Sequence, residues 1–176
     1  MDRSEGFPHV TDILKDAGLI DATWFSEEGR NFGTAVHSAI QFLLDDDLDE
    51  DALDPAVGLR VTSFKKFLLE SGGFVKVTSE EHVEDAIIGY QGTLDIRGRF
   101  YQNDVFGNSI IDLKNGQPQP WHAIQLAAYA HTFDERVRRF GLYLSDTGYK
   151  LIEYRDRNDW KVFCAALTIA NFKRGS

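Results

Sequence analysis

Two stretches keep a strict two-residue alternation of side-chain character, and that period admits β-strands and excludes helices where it occurs. In residues 90–99, Tyr-Gln-Gly-Thr-Leu-Asp-Ile-Arg-Gly-Arg, alternation puts Gly92, Leu94 and Ile96 on one face and Gln91, Thr93, Asp95 and Arg97 on the other. In residues 109–114, Ser-Ile-Ile-Asp-Leu-Lys, Asp112 and Lys114 share a side while Ile111 and Leu113 take the apolar one. Pairing the two strands through a polar connection over residues 101–108 brings Asp95 beside Asp112, 17 positions later. Two such carboxylates repel in a half-buried site unless a cation or a proton lies between them. Hard oxygen ligands favour Mg²⁺ or Mn²⁺, and zinc suits this set less well because no cysteine cluster accompanies it. An Asp-x-Lys tripeptide alone also fits a solvated strand face.

Further polar residues stand on otherwise apolar elements. Residues 30–44 place Val36, Ile40, Leu43 and Leu44 at helical spacing, with His37 at the edge of that stripe and Gly33 one turn before it. A histidine there is ordinarily packed and hydrogen-bonded; metal ligation is the sharper alternative. After Pro118 and Pro120, residues 121–131 read as an amphipathic helix in which Gln125 and Tyr129 are i,i+4 neighbours.

Taken in order, Gly33-Thr-Ala-Val-His37, an acidic strand around Glu80-Glu81-His-Val83, Gly92-Thr-Leu-Asp95, Ile111-Asp-Leu-Lys-Asn-Gly116 and Gln125-Leu-Ala-Ala-Tyr129 resemble the PD-(D/E)XK nuclease superfamily, specifically its RecB-like exonuclease branch and related phage nucleases. The resemblance runs from about Gly29 to Tyr129. It implies a restriction-endonuclease-like α/β core, a mixed central β-sheet flanked by α-helices. It also implies one or two Mg²⁺ or Mn²⁺ ions held by His37, Asp95, Asp112, the Leu113 carbonyl and a strand glutamate, taken as Glu81 in preference to Glu80 or Glu84. Lys114 would orient the attacking water, with Gln125 and Tyr129 supporting it. Asn115 stands where relatives commonly carry threonine. The implied activity is metal-dependent hydrolysis of DNA, as an exonuclease in recombination, repair or phage DNA processing. A structure-selective endonuclease and a non-catalytic nucleic-acid-binding module are the alternatives. The implied partners are single- or double-stranded DNA and a helicase or recombination protein in trans.

Composition sets the frame for that reading. At 176 residues, 43% hydrophobic and 12% aromatic, the chain is expected to form one domain: N-terminal helices over residues 1–72, sheet and active-site core over 73–154 and a C-terminal helix over 155–176. No apolar run of about 18 residues and no basic-then-apolar leader is present, so a soluble, cytoplasmic protein of a bacterial or phage-infected cell is expected, without a membrane partner. The single cysteine, Cys164, excludes an internal disulfide and a four-cysteine iron-sulfur cluster, and it reads as a small core residue.

The net charge of −9 argues against a protein that wraps DNA by charge alone. Residues 45–54 contribute seven acids and no base, read as a solvated loop; the glycine and terminal glutamate spacing of a calcium loop are missing. Arg97 and Arg99, on the face of Asp95, are the better phosphate contacts. Arg136, Arg138 and Arg139 are expected at a sheet edge, and Trp24 and Trp121 are possible stacking platforms whose ordinary fate is burial.

Punctuation along the chain predicts a short helix over residues 11–18 with Thr11 as N-cap, the His37 helix, and a helix over 56–70 stopped by Ser71-Gly-Gly73. Strands follow from Phe74. A hairpin over 138–154 turns at Asp-Thr-Gly, and a final helix spans 156–172.

Overall fold

A computed structural model describes residues 6–21, 26–72, 74–102 and 105–175. Five strands form one sheet in the order β1 (Val75–Asp85), β2 (Tyr90–Gln102), β3 (Val105–Lys114), β4 (Arg138–Leu144) and β5 (Tyr149–Tyr154). Neighbours are antiparallel except β3 and β4, which run parallel. A parallel pair needs a crossover, and α4 (Pro120–His131) supplies it. With α1 (Val10–Asp16), α2 (Glu27–Leu44), α3 (Pro55–Glu70) and α5 (Asn158–Gly175), the result is a mixed α/β fold whose sheet is flanked by helices.

Local chemistry explains the helix starts. Ser26 caps α2 by accepting the Gly29 N–H at 3.0 Å, and Glu27 and Glu28 set negative charge against the positive end of the helix dipole. Asp54 accepts the Ala56 N–H at 2.8 Å ahead of Pro55, which begins α3 where its missing N–H costs nothing. In α4, Gln119 and His122 close a capping box. Thr11 is not the cap of α1: the helix starts at Val10 with His9 in the capping position, because Val10 and Ile13 must both enter the core.

The apolar residues divide into two clusters. Val10, Ile13 and Leu14 of α1 pack with Tyr129 of α4, Phe163 and Leu167 of α5, and the strand residues Tyr90, Leu94 and Ile110. Val36 and Ile40 of α2 pack with Phe64 and Phe67 of α3 and with Ile96, Phe100, Ile111, Leu113 and Phe140. Adjacent Ile110 and Ile111 thus go to opposite clusters, as a pleated strand requires.

β2 breaks that rule once. Tyr90 and Leu94 join the α1/α4/α5 cluster, whereas Ile96 and Phe100 join the α2/α3 cluster, although all four share one parity. The strand therefore turns over at Asp95. The register, with Ser79 against Ile96 and Glu81 against Leu94, sets Glu80 across from Asp95, and Glu80 has left-handed backbone at φ 50°. A non-glycine residue there costs about 1–3 kcal/mol, and such residues concentrate at functional sites.

Two expectations need correction. The connection between β2 and β3 is not a polar loop over 101–108: the ladder continues to Gln102 against Val105. Nor do Arg138 and Arg139 edge the sheet, since β4 lies between β3 and β5. Trp24 falls outside the described residues.

Candidate metal centre and its lysine

Four elements converge where β2 and β3 part. Their ladder ends at Ile96 against Ile111, and beyond it Asp95 reaches across, its Oδ2 accepting the Leu113 N–H at 2.6 Å. That bond frees the Leu113 carbonyl to face α2, where it lies 3.1 Å from His37 Nε2. The other ring nitrogen, His37 Nδ1, is 3.5 Å from Asp95 Oδ1. Glu80 completes the group: His37, Glu80 and Asp95 each offer a ligand atom, all within 4.8 Å of one another. With the ring protonated, the 3.1 Å contact is a hydrogen bond from Nε2–H to the Leu113 carbonyl, which places both groups at the edge of the cluster.

Glu80, not Glu81, is the strand acid of this cluster. Glu81 is held in a fork by Arg97, with oxygens 2.8 and 3.0 Å from the guanidinium, which itself lies over Phe133. The reversal of β2 at Asp95 brings Arg97 to the side of Glu81, and the left-handed turn at Glu80 leaves its carboxylate for the cluster. Arg97 is thereby committed to a carboxylate and is not a free phosphate contact.

Asp112 is 2% exposed and lies beside the cluster, paired with the lysine two residues on. Lys114 Nζ is 2.7 Å from its Oδ2, yet that oxygen has no aligned hydrogen-bond donor. The contact is an ion pair without hydrogen-bond geometry, and a buried carboxylate oxygen in that state calls for a further partner. The lysine is braced from α4: its ammonium donates to Gln125 Oε1 at 3.3 Å and sits 5.1 Å from the Trp121 ring centroid, and Gln125 Nε2 in turn donates to Tyr129 OH at 3.1 Å. Gln125 and Tyr129 are buried, not surface residues. Tyr129 fits because position 92 is glycine; a Cβ there would lie 2.5 Å from its ring.

The two aspartates are driven in opposite directions. Burial alone would raise both, but at Asp95 it is outweighed by His37, Lys114 and the Leu113 N–H, which hold that carboxyl below its usual range. At Asp112, burial together with the charge of Asp95 outweighs Lys114 and pushes the group up to about 6. For His37, burial opposes charging, yet Asp95 and Asp112 overcome it and raise the imidazole to about 9. Glu80 is raised by burial and by Asp95. Excess negative charge is thus the governing feature, and a proton on His37 and the ammonium of Lys114 offset part of it.

A second histidine escapes sequence reasoning. His122 is 4% exposed, and its Nδ1 accepts the Gln119 N–H at 3.2 Å and lies 2.7 Å from Tyr143 OH, which is 2.6 Å from Tyr154 OH. Burial, with the charge of Lys114, lowers it to about 3, so it is a neutral acceptor under the lysine. The only cue in the chain is its place three residues after Gln119 at a helix start. Glu80 was one of three candidate strand acids in the chain, and its place is decided by the register that sets it across from Asp95. Trp121 serves the lysine, half-buried, and is not an open platform.

No family model matches this chain, and no curated protein matches it. Among solved structures it is similar to the crystal structure of SSO0001, at 14% identity over 98% of this chain and 79% of that one, with a TM-score of 0.47. No helix among the described residues is long and apolar enough to cross a membrane.

Proposed function

We propose that this protein is a metal-dependent deoxyribonuclease built on a PD-(D/E)XK-type core, acting on DNA ends as an exonuclease. One observation carries the reading: His37, Glu80 and Asp95 converge within 4.8 Å beside a lysine paired with a buried aspartate. The donor set fits Mg²⁺ or Mn²⁺, because two carboxylates and the Leu113 carbonyl are hard oxygen ligands that outnumber the one borderline imidazole, and the unaligned Asp112 Oδ2 offers another. Such an ion, when bound, supplies Lewis acidity and a water of lowered pKa.

The chain's own groups supply the rest. Lys114 is held by Asp112, Gln125 and Trp121 with its ammonium fixed, able to orient an attacking water and to offset charge developing on the phosphate. Tyr129 and Gln125 keep that ammonium from rotating away. His37 has its ring oriented by Leu113 and Asp95, and a ring nitrogen that held an ion would give up its proton and its present contact to do so.

The test is cleavage of end-labelled linear DNA, single- and double-stranded with circular controls, in Mn²⁺ and in EDTA. Metal-dependent loss of linear DNA alone is expected, and Lys114→Ala should lower the rate by about 10²–10⁴-fold while Mn²⁺ still binds. Cleavage of circular single strands would replace the exonuclease by an endonuclease. Undiminished cleavage by Lys114→Ala would remove the site assignment.

A further inference from the structure

The sheet has a second polar end. The starts of β3 and β4 and the end of β5 enclose a groove of about 680 Å³ lined by Arg136, Arg138, Arg139, Arg155 and Arg157, with Glu153 the one acid in its lining among the described residues. The chain as a whole carries −9, so this concentration of guanidinium groups runs against the general charge.

The five are not equivalent. Arg138 donates through Nε and Nη2 to Glu153 at 3.0 and 3.1 Å, and Arg155 holds the same carboxylate. Arg139 is anchored on Asp159 at 3.0 Å and on the Ala123 and Asp156 carbonyls. Acids beside the groove keep their charge while being held in place: Asp156 accepts the Asn158 N–H at 2.9 Å, Glu135 accepts from Asn108 at 2.7 Å, and Asp134 stands two residues before Arg136. Arg136 and Arg157 are exposed and have neither an ion pair nor a hydrogen bond among the described residues. Two guanidiniums thus stand free at the mouth of a groove whose walls are fixed by the others.

A guanidinium is weakly hydrated and its planar fork matches a phosphate, which makes arginine the residue suited to nucleic-acid backbones. From Gly107 and Asn108 at the groove, β3 leads to Asp112 and Lys114, four to seven residues away. At about 3.3 Å per residue that is about 13–23 Å in a straight line, and because Ser109 to Leu113 are buried under helices on both faces, a strand that reaches both ends passes round the sheet over a longer path of at least several nucleotides.

We propose that this groove is a second phosphate-backbone site, in which Arg136 and Arg157 grip the nucleic-acid strand several nucleotides from the linkage presented to Lys114. It rests on the nuclease reading for its ligand class, and it makes substrate length a determinant of affinity.

The experiment is fluorescence anisotropy of labelled oligothymidylates about 4 and about 20 nucleotides long, in EDTA over a range of KCl, comparing the wild type with the Arg136→Glu, Arg157→Glu pair. Hydrolysis of bis(p-nitrophenyl) phosphate in Mn²⁺, a substrate too small to span both ends, is measured alongside. The paired variant should bind the long oligomer at least tenfold more weakly, with its salt slope reduced by about 1.4, and hydrolyse the small ester like the wild type. Unchanged affinity and slope for the long oligomer would overturn the proposal even with hydrolysis intact. Tighter binding of poly-glutamate than of the oligomer at this groove would assign it to an acidic peptide and overturn it too. Groove-dependent DNA binding without any hydrolysis would keep the groove and remove the nuclease reading.

Discussion

The two ends of β3 solve the same problem, charge on a sheet, in opposite ways. At the Asp112 end Asp112 is buried, Asp95 half-buried and Glu80 exposed at the rim, and the two aspartates are driven apart in proton affinity. At the Val105 end five arginines line the groove, where Glu153 and Asp159 immobilise Arg138 and Arg139 while Arg136 and Arg157 are exposed to solvent. Burial makes the difference. A charge imbalance in a low-dielectric pocket selects an ion and shifts titration, whereas the same imbalance in water attracts a polyanion and is screened by salt.

The largest effect that separates the ends is on metal binding. Glu80→Gln should weaken Mn²⁺ binding, read by titration calorimetry, by about tenfold or more, while Glu81→Gln, which only loosens Arg97, leaves it nearly unchanged. Equal losses in both would return Glu81 to the cluster. Next comes packing: Gly92→Ala forces a Cβ against the buried Tyr129 ring and should cost about 1–3 kcal/mol in denaturant unfolding. Gly107→Ala, where the added carbon meets Arg138 at an ordinary 3.8 Å, should stay within about 0.5 kcal/mol. If the two cost the same, the ends do not differ in packing.

The smallest effect concerns Glu153. Its hydrogen bond to Arg138, with Arg155 adding to it against burial, holds the carboxyl at about 2, below its ordinary 4.5. A depressed carboxylate contributes stability in full above its unfolded value, and that contribution is lost as pH falls from about 4.5 toward 2. Glu153→Gln should therefore lower Tm by about 2–4 °C at neutral pH, and its Tm should fall less steeply than that of the wild type in that acid window. Parallel curves would show that the pair contributes nothing.

Most of the element order was legible in the chain, because period-two runs, proline starts and Gly-containing stops act within a few residues. The alternation over residues 109–114 also showed that Asp112 and Lys114 share a side, and their 2.7 Å contact follows from that parity. The same rule misplaced Arg97, expected on the face of Asp95 and found on Glu81. It assumes an even pleat, and β2 turns over at Asp95 opposite the left-handed Glu80. The arginines of residues 136–139 looked like an edge because nothing local to them says which strand lies on either side.

Sequence by itself determined most of the strands and helices and the pairing of Asp112 with Lys114 on one side of β3, since alternation and capping are local properties of the backbone. Only the tertiary structure decided which acid joins His37 and Asp95, that His122 lies neutral beneath Lys114, and which arginines are left free. Those outcomes depend on register, on the turnover of one strand and on competition among buried charges, and all three are set by residues far apart in the chain.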